Sequence, residues 1–191
     1  FKFIFINYWR SIDKKIFLCF FILFFLGLFF SFSSTSSLAG ERLNKEFYFF
    51  FTKHLIFTLL AITIMIIIST FKTELLMKFV TPLFIVSFFL LAIVPIVGIE
   101  VKGAKRWIDL YFFRFQPIEI LKPFFILMTA KILTFEKFQN SQIKYIFSFM
   151  LLGSVVILLV NQPDLGQSIL LIGSWVGTVF ISGVSLIHIL L

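Results

Sequence analysis

Glu119 and Lys122 stand three residues apart just after Gln116-Pro117, and Asp164 follows Gln162-Pro163 in the same manner. Proline suits the first position of a helix. Each Gln-Pro therefore reads as a helix start with a carboxylate near its first turn, where the helix dipole favours negative charge. A spacing of three puts Glu119 and Lys122 on one face. Pro123 has no N–H to offer the Glu119 carbonyl, which leaves that carbonyl bare and predicts a kink. Just upstream, Lys105 and Arg106 bring further cationic donors toward the same turn, and the arginine fork suits phosphate oxygens. The expected chemistry is electrostatic binding of an anionic group. The plainer alternatives are an interfacial ion pair with a snorkelling Lys122, an Asp164 that only caps its helix, and a Trp107 that only anchors at the interface.

These residues sit in an apolar chain. Of 191 residues, 60% are hydrophobic and 14% charged, against roughly 45–50% and about 25% in a soluble domain. The fold class is therefore all-α, a polytopic integral membrane protein. Five basic and three acidic residues nevertheless fall between Glu100 and Lys122, and charge beside a bilayer is costly enough to signal function. The 31 phenylalanines have a plain explanation in AT-rich codon usage. The net charge of +8 is spread over short clusters without the basic face that nucleic-acid binding requires; anionic lipid head groups and topology account for it better. The lone Cys19 allows no intrachain disulfide, and His54 and His188 form no metal-ligand pattern. The run from Gly98 to Arg106 imitates a phosphate-binding loop but lacks the Gly-Lys-Ser/Thr ending, so no nucleotide site is expected.

Apolar runs predict helices over 16–32, 55–71, 79–99, 117–135, 145–160 and 164–182, with a seventh beginning at Ser185. That makes about six complete spans plus the start of another, each near the length that a bilayer needs. A signal peptide at the first run is disfavoured, because that run exceeds the usual h-region of about 7–15 residues. Polar loops are expected at Glu41–Lys53, with Phe47–Phe51 as an aromatic belt, and at Lys72–Lys78. Pro82 and Pro95 are expected near the ends of the third helix. With the N-terminus in the cytoplasm, nine basic residues fall inside and eight outside; the four before the first helix decide the orientation, since that helix usually dominates. The chain opens on Phe1 and stops inside an apolar run, which reads as a fragment of a longer protein: one membrane domain over 1–191, truncated at its C-terminal end.

Gly103-Ala104-Lys105-Arg106-Trp107, Phe115-Gln116-Pro117 with Glu119 and Lys122, and Gln162-Pro163-Asp164-Leu165-Gly166, in that order, resemble the shape, elongation, division and sporulation (SEDS) family. Lys122-Pro123-Phe124-Phe125 and the Phe47–Leu55 segment bring it nearer the division branch than the elongation branch. Ile118 stands where the family usually has serine. The resemblance implies a helical enzyme of about ten spans in the cytoplasmic membrane, at the septum if of the division type. It would polymerise lipid II into glycan strands at the outer face, with a class B penicillin-binding transpeptidase and other division proteins as partners. The catalytic carboxylate would lie in an outer loop beyond residue 191, so no catalytic residue is assigned within the chain and the piece alone is expected to be inactive. Lys105, Arg106, Gln116, Glu119, Lys122 and Asp164 would line the substrate cavity, Arg106 and Lys122 neutralising the diphosphate and Glu119 orienting Lys122. No cofactor is evident, and a divalent cation beside the diphosphate stays open. Two other readings compete. A flippase for the same lipid would place ionisable groups near the bilayer midplane, whereas the second and third helices are nearly uncharged. A non-catalytic division scaffold is the third.

Overall fold

The computed structural model describes residues 12–35, 48–101, 103–111, 114–136 and 140–183. The chain forms two compact units, Phe1–Lys72 and Thr73–Leu191.

The first unit is a pair of helices, α1 (Lys14–Thr35) and α2 (Phe49–Ser69). Asp13 starts α1 by accepting from the backbone N–H groups of Lys15 and Ile16 at 2.9 and 3.2 Å, satisfying donors that a helix start leaves open. The pair is antiparallel: Phe32 packs on Tyr48 and Phe51, with ring centroids at 6.1 and 5.3 Å, while Gly27 lies against the His54 imidazole. Phe49 to Lys53 are thus helical and do not belong to the expected loop. Phe47 and the segment before it lie outside the described residues.

The second unit holds α3 (Thr73–Val97), β1 (Ile99–Val101), β2 (Ala104–Asp109), β3 (Arg114–Phe115), α4 (Pro117–Leu133), α5 (Ser141–Asn161) and α6 (Leu165–Ile181). α4 is its centre, packed on α3, α5, α6 and β2. Leu91 of α3, Ile118, Leu121 and Phe125 of α4, Leu152, Val155 and Leu159 of α5, and Leu171 of α6 make one buried core.

Two further helix starts need correction. α3 begins at Thr73, six residues before the expected Phe79. Lys72–Lys78 is therefore almost entirely helix, and Pro82 falls well inside it. α5 likewise begins at Ser141, capped by Asn140, which accepts from Gln142 N–H at 2.9 Å. In both cases the helix runs past its apolar stretch to a residue able to start it, because a helix must satisfy its backbone beyond the hydrocarbon as well as within it. The spans are helical as expected, and α1, α2, α3 and α5 are long and apolar enough to cross a membrane. The connection from α3 to α4, however, is a small antiparallel sheet in the order β1-β2-β3. Gly103, at φ +78°, allows the turn between β1 and β2. Gly98 lets the chain leave α3: a Cβ there would lie 2.4 Å from the Val94 carbonyl oxygen. The seventh helix expected from Ser185 lies outside the described residues.

Candidate functional site

The polar residues meet where β2, the start of α4 and the start of α6 converge. The α5–α6 turn is fixed first. Pro95 cannot donate to the Leu91 carbonyl four residues earlier, and the buried Gln162 side chain takes that place, its Nε2 donating to Leu91 O at 2.9 Å. A proline in α3 thereby ties the turn to its neighbouring helix.

Arg106 binds this turn from β2. Its Nε donates to Gln162 O at 3.1 Å and its Nη2 to Pro163 O, while Nη1 lies 3.8 Å from Asp164 Oδ1. Asp164 also accepts from Gln116 Nε2 at 3.1 Å. Asp164 is the N-cap residue of α6, yet its side chain makes no cap hydrogen bond; its carboxylate faces β2 and α4. The capping alternative is therefore incorrect. With its side chain only 9% exposed, Asp164 is a buried carboxylate matched by a guanidinium and an amide, as burial demands.

The second half of the cluster lies one turn further along α4. Lys122 Nζ is 2.8 Å from Glu119 Oε2, the contact expected from their spacing. α6 contributes a residue that sequence reasoning missed: Gln167 Oε1 accepts from Lys122 Nζ at 3.0 Å, and its Nε2 donates to Glu119 Oε1 at 2.9 Å. The signal was present, since Gln167 follows Asp164 by three residues and shares its helix face.

The six expected residues thus divide. Arg106, Gln116 and Asp164 form one group, Glu119 and Lys122 a second, and α6 joins them. Lys105 belongs to neither. It lies exposed on β2 opposite Glu100, with no side-chain partner among the described residues. Arg106 does not reach the Glu119–Lys122 turn as expected, because two carbonyls and a carboxylate on the α5–α6 turn hold it. Ile118, 1% exposed, is packed in the apolar core. Among the described residues no three His, Cys, Asp or Glu side chains are grouped to hold a metal ion.

An ammonium has three N–H donors. Glu119 and Gln167 occupy two, which leaves Lys122 one for an incoming anionic oxygen. Lys122 is 19% exposed and Glu119 50%, so the acid is the more exposed of the two and the ammonium the more buried.

The family model for the cell cycle proteins FtsW, RodA and SpoVE matches residues 13–191. The chain belongs to this family. Within the FtsW/RodA/SpoVE family it is 31% identical over 175 residues to the "Probable peptidoglycan glycosyltransferase FtsW" of Pasteurella multocida (strain Pm70), covering 90% of this chain and 44% of that protein. To the protein of the same name from Wigglesworthia glossinidia brevipalpis it is 32% identical over 184 residues, covering 91% and 48%. It spans about half the length of these curated relatives. Among solved structures it is similar to a chain of a peptidoglycan synthase complex that coordinates polymerization and crosslinking, with TM-score 0.75 and 26% identity over 94% of this chain and 50% of that one. It is also similar to the rod shape determining protein RodA of Thermus thermophilus, with TM-score 0.65 and 28% identity over 86% and 55%. Family and helices together make this a multi-pass membrane protein.

Proposed function

We propose that the complete protein is a peptidoglycan glycosyltransferase that joins lipid II into glycan strands during division, at the outer face of the cytoplasmic membrane and with its N-terminus in the cytoplasm. The observation that carries this reading is the Glu119–Lys122–Gln167 cluster. It is polar, it lies near the N-terminal ends of α4 and α6, and it holds an ammonium with one donor to spare. The relatives' name as peptidoglycan glycosyltransferases supplies the substrate class. In this role Lys122 would neutralise a lipid diphosphate as it becomes the leaving group, an electrostatic contribution made to charge that develops during the reaction. Arg106 would serve first as a brace, holding Asp164 and the α5–α6 turn in place. The similarity to a synthase complex that couples polymerization with crosslinking supports a transpeptidase partner. The family match runs across the junction at Lys72–Thr73, which supports treating both compact units as one membrane domain.

The test uses the full-length protein with its class B transpeptidase partner, in detergent, supplied with labelled lipid II. Lys122→Ala is expected to lower glycan synthesis by about 100-fold, the scale of removing one preorganised charge-stabilising donor. Polymer formed at the normal rate by Lys122→Ala and Glu119→Ala would remove the site assignment. A wild-type protein that moves lipid II across vesicles but makes no polymer would establish the transporter reading.

A further inference from the structure

Gln167 is the one member of the lower cluster that comes from α6, and its amide makes two opposite contacts. The carbonyl oxygen takes a proton donor from Lys122, and the amino group gives one to Glu119. The reverse orientation would set the amino group against an ammonium and the oxygen against a carboxylate, so the chemistry of the two neighbours dictates which way the amide points. With the direct Lys122–Glu119 contact, the three side chains close a ring across two helices. A leucine would fill the space without either contact. A glutamate would keep the contact to Lys122 but oppose Glu119 with a second carboxylate.

We propose that Gln167 is the positioning residue of this site: it fixes the Lys122 ammonium from the α6 side so that the remaining N–H points to the anionic oxygen of the substrate. The proposal rests on reading the site as one that binds a lipid diphosphate. It extends the same logic to Asp164, three residues earlier on α6 and held by Arg106 and Gln116. Through the first turn of α6, the brace on β2 and the ammonium on α4 become one network.

The decisive variant exchanges the two groups. Glu119→Gln combined with Gln167→Glu rebuilds the ring with the carboxylate on α6 and the amide on α4, leaving the count of donors and acceptors unchanged. In the full-length protein with its transpeptidase partner, Gln167→Leu and Gln167→Glu should each lower kcat for lipid II polymerisation roughly tenfold while KM changes less. The exchange should return kcat to within about threefold of wild type, a coupling that independent sites do not show. Wild-type kcat in Gln167→Glu, or an exchange whose losses simply multiply, overturns the proposal. Melting temperatures of the same proteins report the ring without catalysis and should show the same recovery. If the wild type forms no polymer, the functional reading fails separately. Affinity for farnesyl diphosphate then replaces the rate: loss in Gln167→Glu with recovery in the exchange upholds the role of Gln167, and loss without recovery overturns it.

Discussion

Asp164 illustrates how a residue's type can be read correctly and its partners missed. Its position after Gln-Pro suggests a cap, but a guanidinium and an amide arrive from β2 and α4 and take the carboxylate instead. Neither partner is near it in the chain, so no local pattern could decide between the two uses. Asp164→Ala removes the acceptor shared by Arg106 and Gln116 and should cost about 1–3 kcal/mol, measured as a lowered melting temperature in detergent. Ile118 shows the opposite case. Its apolar side chain stands beside Glu119 where the family usually has serine, and it packs with Leu121, Phe125 and Leu91. Ile118→Ser should therefore destabilise by on the order of 2 kcal/mol, again read as melting temperature, and should leave the Glu119–Lys122–Gln167 ring intact. A melting temperature equal to wild type would show that the site at 118 does not need an apolar side chain.

Among the elements, helix starts marked by Gln-Pro were legible: α4 begins at Pro117, and α6 one residue past Asp164. Starts inside polar runs were not, because Thr73 and Ser141 precede the apolar stretch that hydropathy detects. The small sheet was missed because its strands are short and interrupted by charge; their pairing comes from the turn at Gly103 and from being held against α3 and α4. The most specific tie between elements runs from Gln162 to the carbonyl that Pro95 orphans in α3. Gln162→Leu should cost about 1–3 kcal/mol by leaving that buried carbonyl unpaired. Adding Pro95→Ala supplies a backbone N–H to the same carbonyl and should recover most of the loss. Equal unfolding midpoints for the single and double variants would show that the bond carries no such weight.

For the whole molecule, composition alone established an integral membrane protein, and three short motifs pointed to the family. What neither revealed is the way the site is divided: α6 supplies Gln167 to one group and its N-cap residue Asp164 to the other, and only folding brings them beside α4. The proposed topology is checked by single-cysteine labelling with a membrane-impermeant maleimide in an otherwise cysteine-free background. Lys105→Cys should react in intact cells, and Glu136→Cys, beyond the other end of α4, only after permeabilisation; the reverse pattern would invert the orientation. One further consequence follows from length. α4 and α6 have 17 residues each, against 25 in α3 and 21 in α5. At about 1.5 Å per residue the two short helices reach only about 25 Å, less than the roughly 30 Å of a hydrocarbon core. The helices that carry the ionic ring are the ones that fall short, a mismatch that a bilayer can meet by thinning. Bilayer thickness thereby becomes a control on the site. Turnover in vesicles should rise as acyl chains shorten, drawing the head groups down to the depth of Lys122.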